Sequence, residues 1–366
     1  VWQRNSLTFI ASLFLAATTV VAQDAKLTPV TDVKEISPRE DLRVKLFKDT
    51  LKTPSCGVIQ TDPRGGLAGL DAELDGFVKL IIKAIKEKND KAIQPLFHKR
   101  LNVGLDAIAN TYAKLDQVYG APLDVSIYRL WALNTVDGSP KPLNCVDDRL
   151  AVTPHYGYPL QFALWLQVMG QKELGRIYVS LVPADGRWNI GAFHQQQWTH
   201  NSQDFASWAE EAQKNFQMGY KETAYLRYDL AVKLLDGAGF LEVTMRDDLI
   251  KARDAVMTPA QWDAAVKKGL ESSAGGFEVG HVATLLVTDG AGILARYKIP
   301  KEISTEDVKN HCRSAAEALA KQQWATYLNG MRCSYIMPSE DVAKEGALGG
   351  IYISIEEIRQ AMQPTE

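Results

Sequence analysis

Residues 160–198 constrain the fold more than any other stretch. Phe162, Leu164, Leu166 and Val168 alternate with Gln161, Ala163, Trp165 and Gln167. Ile177, Val179 and Leu181 then alternate with Tyr178, Ser180 and Val182. Last, Trp188, Ile190, Ala192 and His194 alternate with Asn189, Gly191, Phe193 and Gln195. A period of two sends neighbouring side chains to opposite faces of an extended chain. The joins are tight polar turns, which only antiparallel neighbours permit. Three consecutive antiparallel strands are expected.

Upstream the period is helical. Leu70, Leu74, Phe77, Ile81 and Ile85 form one apolar stripe, broken at Asn89-Asp90. A short piece carries Ile93, Leu96 and Phe97. A further helix shows Leu101, Leu105, Ile108, Tyr112, Leu115 and Tyr119 on one face and stops at Gly120-Ala121-Pro122. Residues 123–133 switch to alternation, with Val125, Ile127 and Leu130 apolar. A further single strand is expected over residues 145–152. It would place Val146, Asp148, Leu150 and Val152 on one face and Cys145, Asp147, Arg149 and Ala151 on the other. Helices followed by long antiparallel strands define an α+β fold, with helices packed on a curved antiparallel sheet.

The two helices over residues 70–119 and the ending Gly186-Arg187-Trp188-Asn189-Ile190-Gly191-Ala192-Phe193-His194 give the central region a family likeness. It resembles the nuclear-transport-factor-like superfamily, also called ketosteroid-isomerase-like or cystatin-like cone folds. The resemblance covers about a third of the chain and concerns the fold, which does not dictate function. It implies a pocket between the concave sheet face and the covering helices. In enzymatic members an acidic base and a Tyr or acid hydrogen-bond donor sit in that pocket.

The N-terminus reads as a secretory signal peptide, residues 1–22. Arg4 precedes a continuous apolar run over residues 7–21, and small Ala22 follows Val20-Val21. The run falls short of the roughly 20 residues a spanning helix needs. The expected location is therefore periplasmic or secreted. In an oxidising compartment the four cysteines, Cys56, Cys145, Cys312 and Cys333, allow two disulfides. They permit three pairings, of which Cys312–Cys333 is the easiest to justify, since a helix and the strand after it pack together. Their spacing matches no zinc pattern, and no metal site is expected.

The expected layout continues with a mobile linker over residues 23–69, rich in Pro and charge. One short helix near residues 39–51 carries Leu42, Leu46 and Phe47. The α+β domain spans residues 70–200, a helical segment residues 201–275, and a small α/β unit residues 276–366. In the last, a hairpin crosses Asp289-Gly290, Ser304 caps a long helix, and two closing strands follow.

Net charge is −3 with both signs interspersed, so the basic patch that nucleic acid or an anionic membrane surface requires is missing. No nucleophile elbow, Walker loop, dinucleotide fingerprint or zincin motif occurs. No cofactor is expected. Candidate pocket residues are Asp148, Tyr128, Tyr178, His194 and Trp188. Asp148 shares its expected face with apolar neighbours, unlike Asp147, and Trp188, Ile190 and His194 would form a pocket wall. The leading expectation is a non-enzymatic module that binds a protein or a small molecule. The alternative is an isomerase, dehydratase or hydrolase with Asp148 as base and Tyr128 or Tyr178 as donor. A homodimer through the sheet stays open. Cleavage after Ala22 predicts that the exported chain begins at Gln23, which N-terminal sequencing of the secreted or periplasmic protein checks.

Overall fold

Arg43 fixes where the chain enters the fold. It lies in α1 (Glu40–Leu46), and its Nε donates to Asn134 Oδ1 at 2.9 Å. The Asn134 amide in turn donates to the carbonyls of Thr50 and Thr53, each at 3.0 Å. This buried pair clamps α1 and the turn after it to the sheet. The computed structural model describes residues 40–59, 71–145, 150–236, 240–271, 277–287, 290–298, 304–336 and 350–362. Residues 40–59 are thus not a linker: they form α1 and β1 (Ser55–Ile59), an edge strand. The rest of the expected linker and the signal peptide lie outside the described residues.

α2 (Ala72–Lys86) starts at Asp71, whose carboxylate accepts the Glu73 N–H. Glu73 and Asp75 sit in its first turn and Lys83 and Lys86 in its last, the arrangement the helix dipole favours. After the short α3 (Asp90–Ile93), α4 (Leu105–Tyr119) follows, ended by Gly120 at φ 79°. Leu74, Val78, Ile81 and Ile85 of α2 and Ile108, Tyr112, Leu115 and Tyr119 of α4 are buried.

The strands of the first half are β2 (Asp124–Asn134), β3 (Leu143–Cys145), β4 (Leu150–Val152), β5 (Leu160–Met169), β6 (Leu174–Ala184) and β7 (Arg187–Gln197). The main sheet runs β1–β2–β5–β6–β7, antiparallel at every step. The α2–α4 stripes pack on Leu130, Phe162, Leu164, Leu166, Ile177, Val179, Leu181, Trp188 and Ile190. Each such side chain stabilises the fold by roughly 1.5–3 kcal/mol relative to exposure. This is the face on which the family resemblance puts a pocket, and apolar side chains fill it.

The opposite face is covered too. Trp131, Leu133, Ala163 and Tyr178 lie under a small sheet, β3–β4–β8, where β8 is Leu241–Val243. Cys56 of β1 and Cys145 of β3 form a disulfide with Cα atoms 5.1 Å apart. Two expectations change here. The single strand over residues 145–152 is instead an antiparallel pair, with Cys145 opposite Leu150 and Leu143 opposite Val152. The helical segment contributes a strand, β8, which pairs with β4.

In the second half α5 (Phe205–Gln217) and α6 (Lys221–Leu234) form a hairpin. Asp204 caps α5 by accepting the Ser207 N–H at 2.9 Å. α7 (Met245–Val256) and α8 (Pro259–Glu271) follow, α8 opened by the Thr258–Gln261 capping box. Then come β9 (Glu278–Val287), β10 (Gly290–Lys298), α9 (Thr305–Ala320), β11 (Leu328–Ile336), β12 (Gly350–Ser354) and α10 (Ile355–Met362). The second sheet is ordered β12–β11–β10–β9. β10 and β11 are parallel because α9 carries the chain back between them, and the outer pairs are antiparallel. Cys312 of α9 and Cys333 of β11 form the second disulfide. Among the described residues no helix is long and apolar enough to cross a membrane.

The disulfides close loops with sequence separations of 89 and 21 residues. Loop-closure entropy makes the first worth about 4.5 kcal/mol and the second about 3 kcal/mol. Denaturant unfolding of the Cys56→Ala/Cys145→Ala and Cys312→Ala/Cys333→Ala forms is expected to show losses in that order.

Candidate functional site

Two interruptions of the strand pairing decide which side chains meet. In the β6–β7 ladder Leu181 pairs with Ile190 and Ser180 with Ala192, so Gly191 is one residue too many. A bulge of this kind inverts the alternation beyond it. Trp188 and Ile190 point to the α2–α4 core. Ala192, His194 and Gln196 instead share the other face with Ser180, Tyr178 and Arg176, their cross-strand partners. The expected Trp188/Ile190/His194 wall therefore does not exist. Glycine suits the bulge: a Cβ at Gly191 would stand 3.0 Å from Val182 Cγ1 and 3.2 Å from the Tyr156 ring. Tyr156 lies there and donates its hydroxyl to the Gly191 carbonyl at 3.1 Å.

The second interruption is in β2–β5. Ile127 pairs with Leu166 and Arg129 with Trp165, leaving Tyr128 between them without a cross-strand partner. Its ring turns to the face that carries Trp165. The ring centroids of Tyr128 and Trp165 are 4.5 Å apart, Tyr128 and Trp198 4.8 Å, and Trp165 and Trp198 5.3 Å. Tyr128 is 42% exposed. A large aromatic side chain this open contributes little to the core, and three mutually packed rings at a sheet's rim make a ready contact surface.

Beneath the rim the face becomes buried and polar. Tyr178 is 5.2 Å from Trp165, ring to ring, and lies opposite His194 in the ladder. Arg176 is only 1% exposed. Its guanidinium carbon sits 5.7 Å from the Trp165 ring and 5.5 Å from the Tyr178 ring, within cation–π range. Burial lowers the Arg176 pKa, opposed by Tyr178, Tyr119 and Asp236, but a guanidinium remains charged at neutral pH. Burial raises the Tyr178 pKa, so its hydroxyl stays protonated. Burial first, and then the Arg176 charge, push His194 down to about 4, leaving it neutral. Next to Arg176, Gln196 donates to the Lys233 carbonyl at 2.9 Å, at the C-terminal end of α6.

Of the five residues expected to share a pocket, Tyr128, Tyr178 and His194 come together on this face. Trp188 is on the other side of the sheet. It is packed edge-on to Phe162 at 5.3 Å and donates to Asp71 Oδ2 at 3.4 Å. It also lines an open apolar groove of about 250 Å³ with Phe77, Leu80, Leu96 and Arg187. Asp147 and Asp148 lie outside the described residues, and the face that singled out Asp148 depended on a continuous strand that the β3–β4 pairing replaces. The loop with His155, Tyr156 and Tyr158 is a packed turn. The Gln161 side chain accepts the His155 N–H at 2.7 Å and donates to the carbonyls of His155 and Tyr158 at 2.6 and 3.0 Å.

Sequence reasoning missed Arg176 and Trp198. The signal for Arg176 was present: it is the one charge inside the alternating run over residues 175–182. Among the described residues no cluster of His, Cys, Asp and Glu is arranged to hold a metal ion. No protein-family model matches the chain, and no curated protein shows significant similarity to it.

His194 makes this face sensitive to acid. Its folded pKa, about 4, lies below the unfolded value near 6.5. The unfolded chain therefore binds the extra proton first as pH falls. Stability is complete above about pH 6.5 and declines toward pH 4. His155 and His311, also lowered to about 4 by burial, act in the same direction. The urea midpoint of the full chain is expected to fall through this window, and His194→Gln to make the fall shallower.

Proposed function

We propose that this chain is an exported, non-enzymatic binding module, and that the Tyr128–Trp165–Trp198 rim is its binding surface. The helices α2–α4 laid over an antiparallel sheet support a nuclear-transport-factor-like arrangement for its first half. The two disulfides support an oxidising destination, where such crosslinks persist. The observation that carries the reading is Tyr128. It leaves the strand ladder at a bulge, stays 42% exposed, and joins two tryptophans in one contiguous aromatic surface. Bulges that re-aim a side chain at a sheet edge recur beside functional sites. Against the competing enzyme reading stands the helix-covered face, where apolar side chains occupy the space a substrate would need.

The test is native mass spectrometry of the full chain purified from its own exported fraction, alongside the Tyr128→Ala and Trp198→Ala forms. A bound mass on the natural chain that both variants lose is expected. Circular dichroism should show the variants folded, because a partly exposed rim contributes little to the core. A bare mass for the natural chain, or a bound mass that both variants keep, would overturn the reading.

A further inference from the structure

Arg176 presents an unusual arrangement. Two of its nitrogens, Nε and Nη2, are buried and have no hydrogen-bond partner. They are not scattered atoms. In a guanidinium, Nε–H and one Nη–H pair point the same way along one edge, and Nε with Nη2 is that edge. It is the fork that receives the two oxygens of a carboxylate. Trp165 Nε1 and the Tyr178 hydroxyl, on the two rings that flank the guanidinium, are also buried without partners. All four atoms donate hydrogen bonds, the Tyr hydroxyl also being able to accept. Buried donors are normally satisfied; Gln196 Oε1, a buried acceptor on the cross-strand neighbour of Arg176, also has no partner but cannot serve all four donors, so the group calls for a further acceptor.

The charge balance points the same way. Among the described residues no carboxylate lies within ion-pair distance of Arg176. Asp236, the carboxylate whose charge reaches it, is held by Arg246. Tyr178, His194, Gln196 and Trp165 around the guanidinium are neutral at pH 7, and Arg129, cross-strand from Trp165 and 5.9 Å from the Tyr128 ring, brings a second positive charge to this face. The flat two-donor edge matches the two oxygens of a planar carboxylate. Above it lie aromatic rings, which favour a flat body on the ligand. Gln167 and Gln196, the cross-strand neighbours of Arg176, are only half-buried, as is Trp198, so rotation of these side chains is the entry route.

We propose that the Nε–Nη2 edge of Arg176, with Trp165 Nε1 and the Tyr178 hydroxyl, receives the carboxylate of a ligand whose flat ring lies on the Tyr128–Trp165–Trp198 rim. This rests on the rim being the binding surface and names the chemistry it selects. The probes are benzoate, its uncharged analogue benzamide, and inorganic phosphate, titrated calorimetrically into the full chain with its disulfides intact. Benzoate is expected to bind at least about tenfold more tightly than either of the others, the least that a charge-assisted hydrogen-bond pair confers. Arg176→Gln should remove that preference. Trp165→Phe keeps an aromatic ring but loses the N–H, and should weaken benzoate severalfold and narrow the benzoate–benzamide ratio.

Arg176→Met tests whether the guanidinium is merely structural: its melting temperature should equal or exceed that of the natural chain and no longer rise with benzoate. Should both Arg176 variants unfold, the benzoate–benzamide ratio of the natural chain and of Trp165→Phe decides the matter. Equal binding of benzoate and benzamide, with Tyr128→Ala weakening both, overturns the carboxylate site and leaves the rim standing. No binding of any probe overturns the carboxylate site as well, internal water then satisfying the donors, and the rim is judged by the native mass measurement alone. A benzoate preference that survives Arg176→Gln is equally fatal to the assignment.

Discussion

The structure depends on a helix that has no solvent side. From Thr223 to Val232 every residue of α6 is buried, Arg227 and Asp229 included. A buried unpaired charge costs several kcal/mol, so each must bring a partner. Arg227 takes Glu211 of α5 at 3.1 Å. Asp229 takes Arg253 of α7 at 2.5 Å and also accepts from the Thr284 hydroxyl of β9. One carboxylate thereby ties three elements of the second half together. At its far end α6 reaches the first half, where its Lys233 carbonyl receives Gln196. The helix's C-terminal carbonyls carry partial negative charge. The Lys233 carbonyl among them is bonded to Gln196, the cross-strand neighbour of Arg176.

Sequence patterns revealed those elements that have one wet face and one dry face. The stripes of α2 and α4 and the alternation of β2, β5, β6 and β7 belong to this class, and their packing as helices on an antiparallel sheet follows from them. α6 shows only a weak stripe because it is dry all round, and its role as the joint was not legible. β3, β4 and β8 have three residues each, too few for a period to register. β1 looked like linker because it is a short edge strand held by partners distant in sequence, among them Cys145.

The site was legible only in part, for a related reason. Tyr128, Tyr178 and His194 stood out as individual residues with useful chemistry. Their meeting on one face depends on two bulges, and nothing in a period-two pattern marks where an extra residue enters. Gly191 was a hint, as a glycine inside a strand often is. Trp188 was assigned to the same face as His194 because the alternation was counted straight through that glycine. Arg176 is a single charge in an apolar run, and nothing in the pattern shows that it is buried against two aromatic rings.

The bulge also gives β7 something like a reading frame. Residues 187–190 are read in one phase and residues 192–197 in the other, with Gly191 as the shift between them. Were Gly191 paired in the ladder instead of bulged out of it, the alternation would run straight through and the two sets downstream would exchange faces. Phe193 would leave the helix-covered core, and His194 and Gln196 would enter it. Two neighbouring surfaces of opposite character, one dry and one rich in donors, are thus kept apart by a single residue without a side chain. A related chain could lose this residue and keep both surfaces, but could not pair it in the ladder without exchanging them.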